Sequence, residues 1–516
     1  MHLKTNMMLT IVAVALILGS AGDFLFSPEG PWNVTGSIWV AMLSIFALLI
    51  NRHAGRIWLR KLIACSGIAL ATAMLLAIRD SEALIPLVLL VQVVCASAVL
   101  MQADNKPLIA ARVEAFLIAL FALPVQMVTR FFRLIGNLPF FEMAHSPRLK
   151  GVLRGLLIVA PLLVVFTLLF SSADANFERY TMALGDLISV ELPQHVLSIA
   201  LMSAFSAGLL LCTLPELANQ SKLQSPLLKH RINFLRSLGD EEIAVIMGSL
   251  ALLFIVFVLL QFGYLFGGRE TIEQVDGLTL ATYARRGFFE LIAVSLLTLV
   301  VLLWISSTQC SQRIFRPMAV VLVVCVLFIL ASAAQRLYLY SEAFGLTLSR
   351  VLAAAIMLWL AGNLVSFIVT LLRSGGAGFA FGMFASGIAT VILLGLLNPA
   401  AIVARVNLSK AIASSQEQSI DIGYLTRLGA DAVPALLKHI HDLPESQQCI
   451  VAYELITRYG GERNEDEKND WRTWNASRSR AKALVAEQYN DLVRLAGQIR
   501  FVPNGYINTV PPAIQN

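Results

Sequence analysis

Residues 317–334 read PMAVVLVVCVLFILASAA, a run with no charged side chain held between Arg316 and Arg336. As a helix rising 1.5 Å per residue it would be about 27 Å long, close to the hydrocarbon thickness of a bilayer. The pattern recurs along the chain. Ten more segments read the same way, at about 7–26, 34–50, 61–78, 83–101, 152–170, 195–214, 243–266, 287–306, 351–372 and 378–397. The first resembles a signal peptide behind Lys4, but its apolar run is long and the small residues around Ala21 make a weak cleavage site, so it reads as an uncleaved span.

Composition agrees with this. Of 516 residues, 57% are apolar and 14% charged, and the mean hydropathy is +0.74. A soluble domain is about 45–50% apolar and about 25% charged, so a soluble chain could not hide this much apolar surface. Disorder, collagen-like repeats and a disulfide-rich secreted scaffold are excluded on the same grounds. The six cysteines are scattered singly, without metal-ligand or redox spacing.

One further segment, about 113–128, carries Glu114 and Pro124 within a basic stretch. The positive-inside rule decides how to read it. With the N-terminus inside and 102–151 on one side, the inner face carries 19 Lys and Arg against 7 on the outer face before residue 398. Counting 113–128 as a span evens the distribution to 13 against 13. The expected fold is therefore all-α: a polytopic helical membrane bundle of about eleven spans with a small helical soluble C-terminal domain. Residues 1–101 form a four-span bundle, 102–151 a cytoplasmic interfacial or re-entrant segment and 152–397 a seven-span bundle. Residues 398–516 form the soluble domain, predicted outside.

That last region has 13 basic and 13 acidic residues, a soluble balance. Asp421–His441 shows helical spacing around a break at Gly429 and Pro434, a second helix follows Pro444 at about 446–459, and Ala481–Ile499 reads as a third. The run Gly460–Asp470 reads as a loop.

Several stretches together resemble a bacterial family of multi-pass membrane proteins catalogued as a domain of unknown function. They are Phe170–Asp174 (FSSAD) with Phe177, Tyr264–Gly268 (YLFGG), Tyr283–Leu291 (YARRGFFEL) and Arg336–Arg350 (RLYLYSEAFGLTLSR). Asn398-Pro399 with Asn407, Tyr424-Leu425 and Leu428–Leu436 (LGADAVPAL) complete the set, which covers roughly residues 150–440. The resemblance implies a membrane location and a bacterial source, hence the cytoplasmic (inner) membrane. It supplies no activity and no catalytic residue.

On the eleven-span topology these motifs gather at the outer ends of spans. The candidate polar cluster is Asp174, Glu178, Arg179, Tyr264, Tyr283, Arg286, Glu290, Arg336, Tyr340, Glu342 and Arg350. Arg286 and Glu290, Arg336 and Tyr340, and Tyr338 and Glu342 each stand four apart, on one helix face. Two readings stand side by side: pairing that holds hairpins together, with Tyr in the interfacial belt, and a ligand-facing site, since charges near the membrane must be paired or wetted.

Other signals are weaker. Gln92, Gln261 and Asn363 are polar residues within spans, suited to interhelical bonds, and Asp23 sits at an outer end. Gly378, Gly382 and Ser386 recur every four residues, a pattern for close helix packing. His439 and His441 are two apart and have no third ligand nearby, so no metal site is expected. Ser171 and Ser172 lack a nucleophile-elbow context. The Asn475-Ala-Ser477 sequon has meaning only in a secretory eukaryotic host. No catalytic, cofactor-binding or metal residue is assigned and no cofactor is implied. The basic inner loops follow from topology and anionic lipid, so nucleic acid is not a partner.

The partners implied are the lipid bilayer and either an envelope protein or a small-molecule ligand. The leading expectation is a non-enzymatic envelope protein that binds, senses or scaffolds through the outward polar cluster. A secondary transporter or permease for a small solute or ion is the alternative, and a lipid- or glycan-modifying enzyme comes third. Whether the chain is an enzyme is open, leaning against.

Overall fold

The computed structural model describes residues 5–27, 33–101, 113–136, 191–215, 240–266, 288–306, 312–374, 378–413, 421–460, 470–497, 499–501 and 507–509. Up to residue 397 the described helices begin with α1 (Thr5–Phe26), α2 (Val34–Ile50), α3 (Arg56–Ile78), α4 (Leu84–Met101), α5 (Val113–Gly136) and α6 (Glu191–Cys212). They continue with α7 (Asp240–Phe266), α8 (Phe288–Ser306), α9 (Gln312–Phe344), α10 (Leu348–Ser374) and α11 (Phe379–Leu397). Among the described residues, six of these helices (α1, α3, α6, α9, α10 and α11) are long and apolar enough to cross a membrane. Val34–Ile50, Leu84–Leu100, Ile243–Leu259 and Leu291–Ser306 are shorter apolar helices. Large apolar side chains on these helices, such as Leu358, Val245 and Leu253, stand exposed. That is the pattern of helices solvated by lipid. The expected span at 152–170 lies outside the described residues.

The chain divides into two compact units. The first comprises Met1–Met74, Gln92–Lys106 and Phe116–Lys222. Its closest crossing is between α1 and α6 at Gly19, where a Cβ would lie 2.0 Å from Ser203 Oγ and 2.7 Å from the Ile199 carbonyl oxygen. Only a residue without a side chain lets the two backbones approach so closely. At one end of this pair, His195 Nδ1 lies 2.9 Å from Asp23 Oδ2. At the other end, Asn51 donates to Thr213 Oγ1 at 2.9 Å and Trp58 donates to the Thr213 carbonyl at 3.1 Å. Gln92, on α4, donates to the Ala69 carbonyl and to Thr72 Oγ1 on α3, an interhelical bond of the kind its position suggests.

Helix α5 packs against that second end through Leu123 and Leu134. Leu123 packs with Leu100 and Cys212, the last turns of α4 and α6, while Leu134 packs with Met8, Leu211 and Leu214. Arg130 is buried and donates to the Leu211 carbonyl at 2.8 Å and to Gln126 Oε1 at 3.1 Å. Met127, between Leu123 and Leu134, lies against Gly208 of α6, where a Cβ would come within 3.0 Å of the Met127 Cβ.

The second unit comprises Leu75–Val91, Pro107–Ala115 and Leu223–Asn516. Its membrane part is an apolar core of α7, α8, α9, α10 and the start of α11, centred on Phe315, Leu322, Val326, Leu364 and Phe367. Asn363 and Trp359 of α10 both donate to Ser386 Oγ of α11, at 3.3 and 3.1 Å. Of the four-residue glycine pattern, only Ser386 serves this contact. Gly378 begins α11 at φ +81°, and a Cβ on Gly382 would meet open space.

Beyond Asn398 come α12 (Pro399–Ala413), α13 (Ile422–Thr426), α14 (Val433–His439), α15 (Glu445–Leu455), α16 (Ala476–Glu487) and α17 (Tyr489–Ala496). They share a core of Val403, Leu425, Val433, Leu436, Val451 and Val485 with their neighbours, against which Leu346 and Leu348 of the α9–α10 turn also pack. The break at Gly429 is a left-handed turn (φ +85°) leading into a 3₁₀ turn, with Pro434 in the first turn of α14. The expected third helix is two, broken at Gln488. Strands β1 (Ile499–Phe501) and β2 (Ile507–Thr509) form a short antiparallel hairpin with Ile499 opposite Thr509.

Candidate functional site

The most heavily bonded polar feature of the second unit is where the loop after α3 meets the C-terminal helices. Asp431, in the 3₁₀ turn after Gly429, is almost wholly buried, its side chain 2% exposed. Its Oδ1 accepts from Arg79 Nη1 at 3.4 Å and from Asn398 Nδ2 at 3.1 Å, and Ser477 Oγ lies 2.5 Å away. Its Oδ2 accepts from the Asp80 N–H at 2.8 Å. Asp80 in turn takes Arg478 Nε on Oδ1 at 2.9 Å and the Ala430 N–H on Oδ2 at 3.1 Å. Two carboxylates and two guanidiniums thus interlock as a neutral set. Each buried charge is paired and hydrogen-bonded, the condition under which burying a charge is tolerated.

Arg79 also donates to the Gly395 and Leu396 carbonyls at 2.7 and 3.0 Å, filling the unsatisfied C-terminal acceptors of α11. Asn475 does the same for α3 with one half of its amide and caps α16 with the other. Its Nδ2 donates to the carbonyls of Leu76 and Arg79 at 2.9 and 3.0 Å, and its Oδ1 accepts the N–H groups of Ser477 and Arg478. The Asn475-Ala-Ser477 tripeptide is therefore a double helix cap. Tyr459 borders this set. Burial first, and then the nearby Asp80 and Asp431 carboxylates, push its phenol up to about 12.

A second contact ties the α9–α10 hairpin to the same C-terminal helices. Asn407 of α12 accepts the Leu346 N–H at 2.6 Å and donates to the Leu346 carbonyl at 2.7 Å. The Tyr424 hydroxyl accepts the Leu348 N–H at 2.7 Å, and Gly345 turns the chain at φ +75°. Arg350 donates to the Gly345 carbonyl and sets its guanidinium 4.0 Å from the centre of the Tyr340 ring, a cation–π contact.

Of the sequence-derived cluster, the structure joins Tyr340 to Arg350, and Tyr338 donates to Glu342 Oε1 at 3.0 Å as their four-residue spacing suggests. Arg336 lies one turn before Tyr340 on α9. Tyr264 and Glu290 fall in α7 and α8, with their side chains outside the described set. Asp174, Glu178, Arg179, Tyr283 and Arg286 lie outside the described residues. His439 and His441 pair separately with Asp442 and Asp491, each at 3.0 Å. Among the described residues no group of three or more His, Cys, Asp or Glu could hold a metal.

The sequence-derived cluster omits Arg79, Asp80, Asp431, Asn475 and Arg478. Asp431, Asn398, Asn407 and Tyr424 do stand within the family-like motifs. That was the available signal, because polar residues framing a helix start usually have a specific bonding duty.

A family model described as "Domain of unknown function (DUF4153)" matches residues 62–439. The match begins well before residue 150, where the family-like motifs start, and takes in both Asp80 and Asp431. No curated protein and no solved structure matches the chain.

Proposed function

The chain belongs to this family of unknown function, and on that premise we propose that it is a bacterial inner-membrane protein that binds, senses or scaffolds rather than catalyses. The observation carrying this reading is the clamp of Asp80 and Asp431 with their arginines. A helical domain fixed to a span-connecting loop by two ion pairs and a shared Asn475 amide presents one rigid surface, as a binding or scaffold platform requires. The polar residues described inside the bundle, Gln92 with Thr72 and Asn363 with Ser386, bond to neighbouring helices. That favours binding at the clamped end over solute transport through a midplane site. The proposed ligand face is the cluster from Asp174 to Arg350, with Tyr340 and Arg350 at its described edge.

Contacts between helix ends support the count of eleven spans, and the distribution of Lys and Arg supports the N-terminus inside with 398–516 outside. Asp23 meets His195, and Arg79 meets Asp431. Each pair shares one side of the membrane only when an even number of crossings separates its members. Eleven spans satisfy both conditions, and adding 113–128 as a twelfth breaks both. Packing of Leu123 against Leu100 and Cys212, in the last turns of α4 and α6, favours the interfacial reading of that segment. Epitope tags placed separately at residues 145 and 510 are expected on opposite sides, and finding both on one side would overturn this topology.

The functional reading is tested in a deletion strain complemented with Arg286→Gln, Glu290→Gln or Arg350→Gln, with the protein level followed by immunoblot. Normal accumulation with lost complementation supports a ligand face. Normal accumulation with full complementation overturns it, and lost accumulation assigns the residues to hairpin pairing instead.

A further inference from the structure

Two tryptophans of the C-terminal domain, Trp471 and Trp474, are exposed to 50% and 47%. The Trp474 N–H donates to the Trp471 carbonyl at 3.1 Å, closing a 3₁₀ turn. Residues three apart in such a turn lie on one side. Asp470 and Arg472 flank Trp471 and neutralise one another, with Arg472 Nε 2.8 Å from both carboxylate oxygens.

Asn475 and Ser477, just after this turn, fix its height. Asn475 bonds to the Leu76 and Arg79 carbonyls, and Ser477 Oγ lies 3.0 Å from the Ile78 carbonyl, so the turn sits at the end of the membrane-crossing helix α3. Arg79 brings the end of α11 to the same level through Gly395 and Leu396. The exposed apolar side chains of Ile78, Leu393, Leu396 and Leu397 reach up to that boundary. Above it stand Arg79, Asp80 and Arg478, and beside it the two indoles. This is the level at which tryptophan is enriched in membrane proteins, its ring in the acyl boundary and its N–H toward the headgroups.

We infer that Trp471 and Trp474 form a membrane-docking edge, seating the C-terminal domain on the headgroup layer of the leaflet bordering the 79–83 loop. The occupant is phospholipid. Exposed Ile78, Leu396 and Leu397 end α3 and α11 at the level to which Asn475 and Ser477 are bonded, and the paired Asp470 and Arg472 spare the indoles an uncompensated charge at the boundary. The inference does not depend on which side of the membrane that loop faces or on the proposed binding role.

The test uses the full chain in phosphatidylcholine nanodiscs. Subtracting the emission of a Trp471→Phe/Trp474→Phe double variant from that of the unmodified chain isolates these two indoles from the other five. A nitroxide on the first acyl carbons of the lipid is expected to reduce that component about twofold or more, with aqueous iodide having little effect, as for an interfacial indole. Strong iodide quenching with no response to nitroxide lipid overturns the inference, including when the face serves a protein partner missing from the nanodisc. Each single variant yields the same comparison should the double variant fail to fold.

Discussion

Asp80 and Asp431 hold each other through reciprocal main-chain bonds: the Asp80 N–H donates to Asp431 Oδ2 at 2.8 Å, and Asp80 Oδ2 accepts the N–H of Ala430, the residue before Asp431, at 3.1 Å. Two carboxylates this close would repel. Each is neutralised by its own arginine, Arg79 for Asp431 and Arg478 for Asp80. The charge set therefore locks a loop following residue 78 to a turn beginning at residue 430, which neither segment could hold alone.

Removing Asp431 should be the most damaging single change in the second unit. Asp431→Ala leaves Arg79, Asn398 and Ser477 without their shared acceptor, and deleting one partner of a buried pair costs about 3–5 kcal/mol. Asp431→Asn keeps an acceptor oxygen and loses the charge, so a smaller loss is expected. Thermal unfolding of the detergent-solubilised chain should rank the unmodified protein above Asp431→Asn and both above Asp431→Ala. An Arg79→Ala/Asp431→Ala double variant should lose less than the two single losses added together, because the partners share one interaction.

Gly429 is required for the same contact by its backbone. It sits at φ +85°, and a Cβ there would lie 2.8 Å from the Asp80 carbonyl oxygen. Gly429→Ala combines left-handed strain of about 1–3 kcal/mol with a clash against backbone that is itself pinned. The expected result is a lower unfolding midpoint and faster proteolysis of residues 421–497, with the membrane helices left protected.

The apolar helices were legible because such a segment carries its own signal: ten of the eleven expected segments fall on described helices, six of which are long and apolar enough to cross a membrane. The break at Gly429 was legible for a similar reason, as glycine marks backbone that other residues resist. The clamp was not. Arg79 in isolation is one basic residue in a short loop, Asn475 one polar residue in a sequon, and Asp431 one acid in a helical stretch. Their meaning lies in long-range closure, to which no local periodicity points. The glycine pattern misled in the opposite direction. Gly378, Gly382 and Ser386 have packing spacing, yet a Cβ on Gly382 would meet open space while one on Gly19 would clash with α6.

Tyr459 should impose an alkaline limit on the clamp. The unfolded phenol titrates near its ordinary value of 10, whereas the folded one, raised by burial and the two carboxylates, holds its proton to about 12. A group raised in the folded state contributes stability below its unfolded pKa and loses it as pH climbs through the folded value. The contribution is therefore intact below pH 10 and lost between about pH 10 and 12. Each tenfold change in acidity corresponds to about 1.4 kcal/mol, so the contribution is on the order of 2–3 kcal/mol. Unfolding midpoints measured across that window should fall more steeply for the unmodified chain than for Tyr459→Phe, and parallel curves would contradict the assignment.

Gly19 and Gly382 should respond oppositely to the same substitution, although both lie inside apolar helices. At Gly19 a methyl group would meet Ser203 Oγ at 2.0 Å and the Ile199 carbonyl oxygen at 2.7 Å. The serine can rotate away and the carbonyl cannot, so α1 and α6 must separate. Overpacking of this kind costs about 1–3 kcal/mol or more. Gly382→Ala adds its methyl group to open space and removes backbone freedom from the unfolded chain, so it should be neutral or stabilise by up to about 1 kcal/mol. Unfolding in mixed micelles, scored by protection of single cysteines placed on α1 and on α11, reports each helix separately. Loss of protection confined to α1 in Gly19→Ala, with α11 unchanged or better protected in Gly382→Ala, is the expected pair of results. Equal effects at the two sites would mean that the close approach at Gly19 contributes nothing to holding α1 against α6.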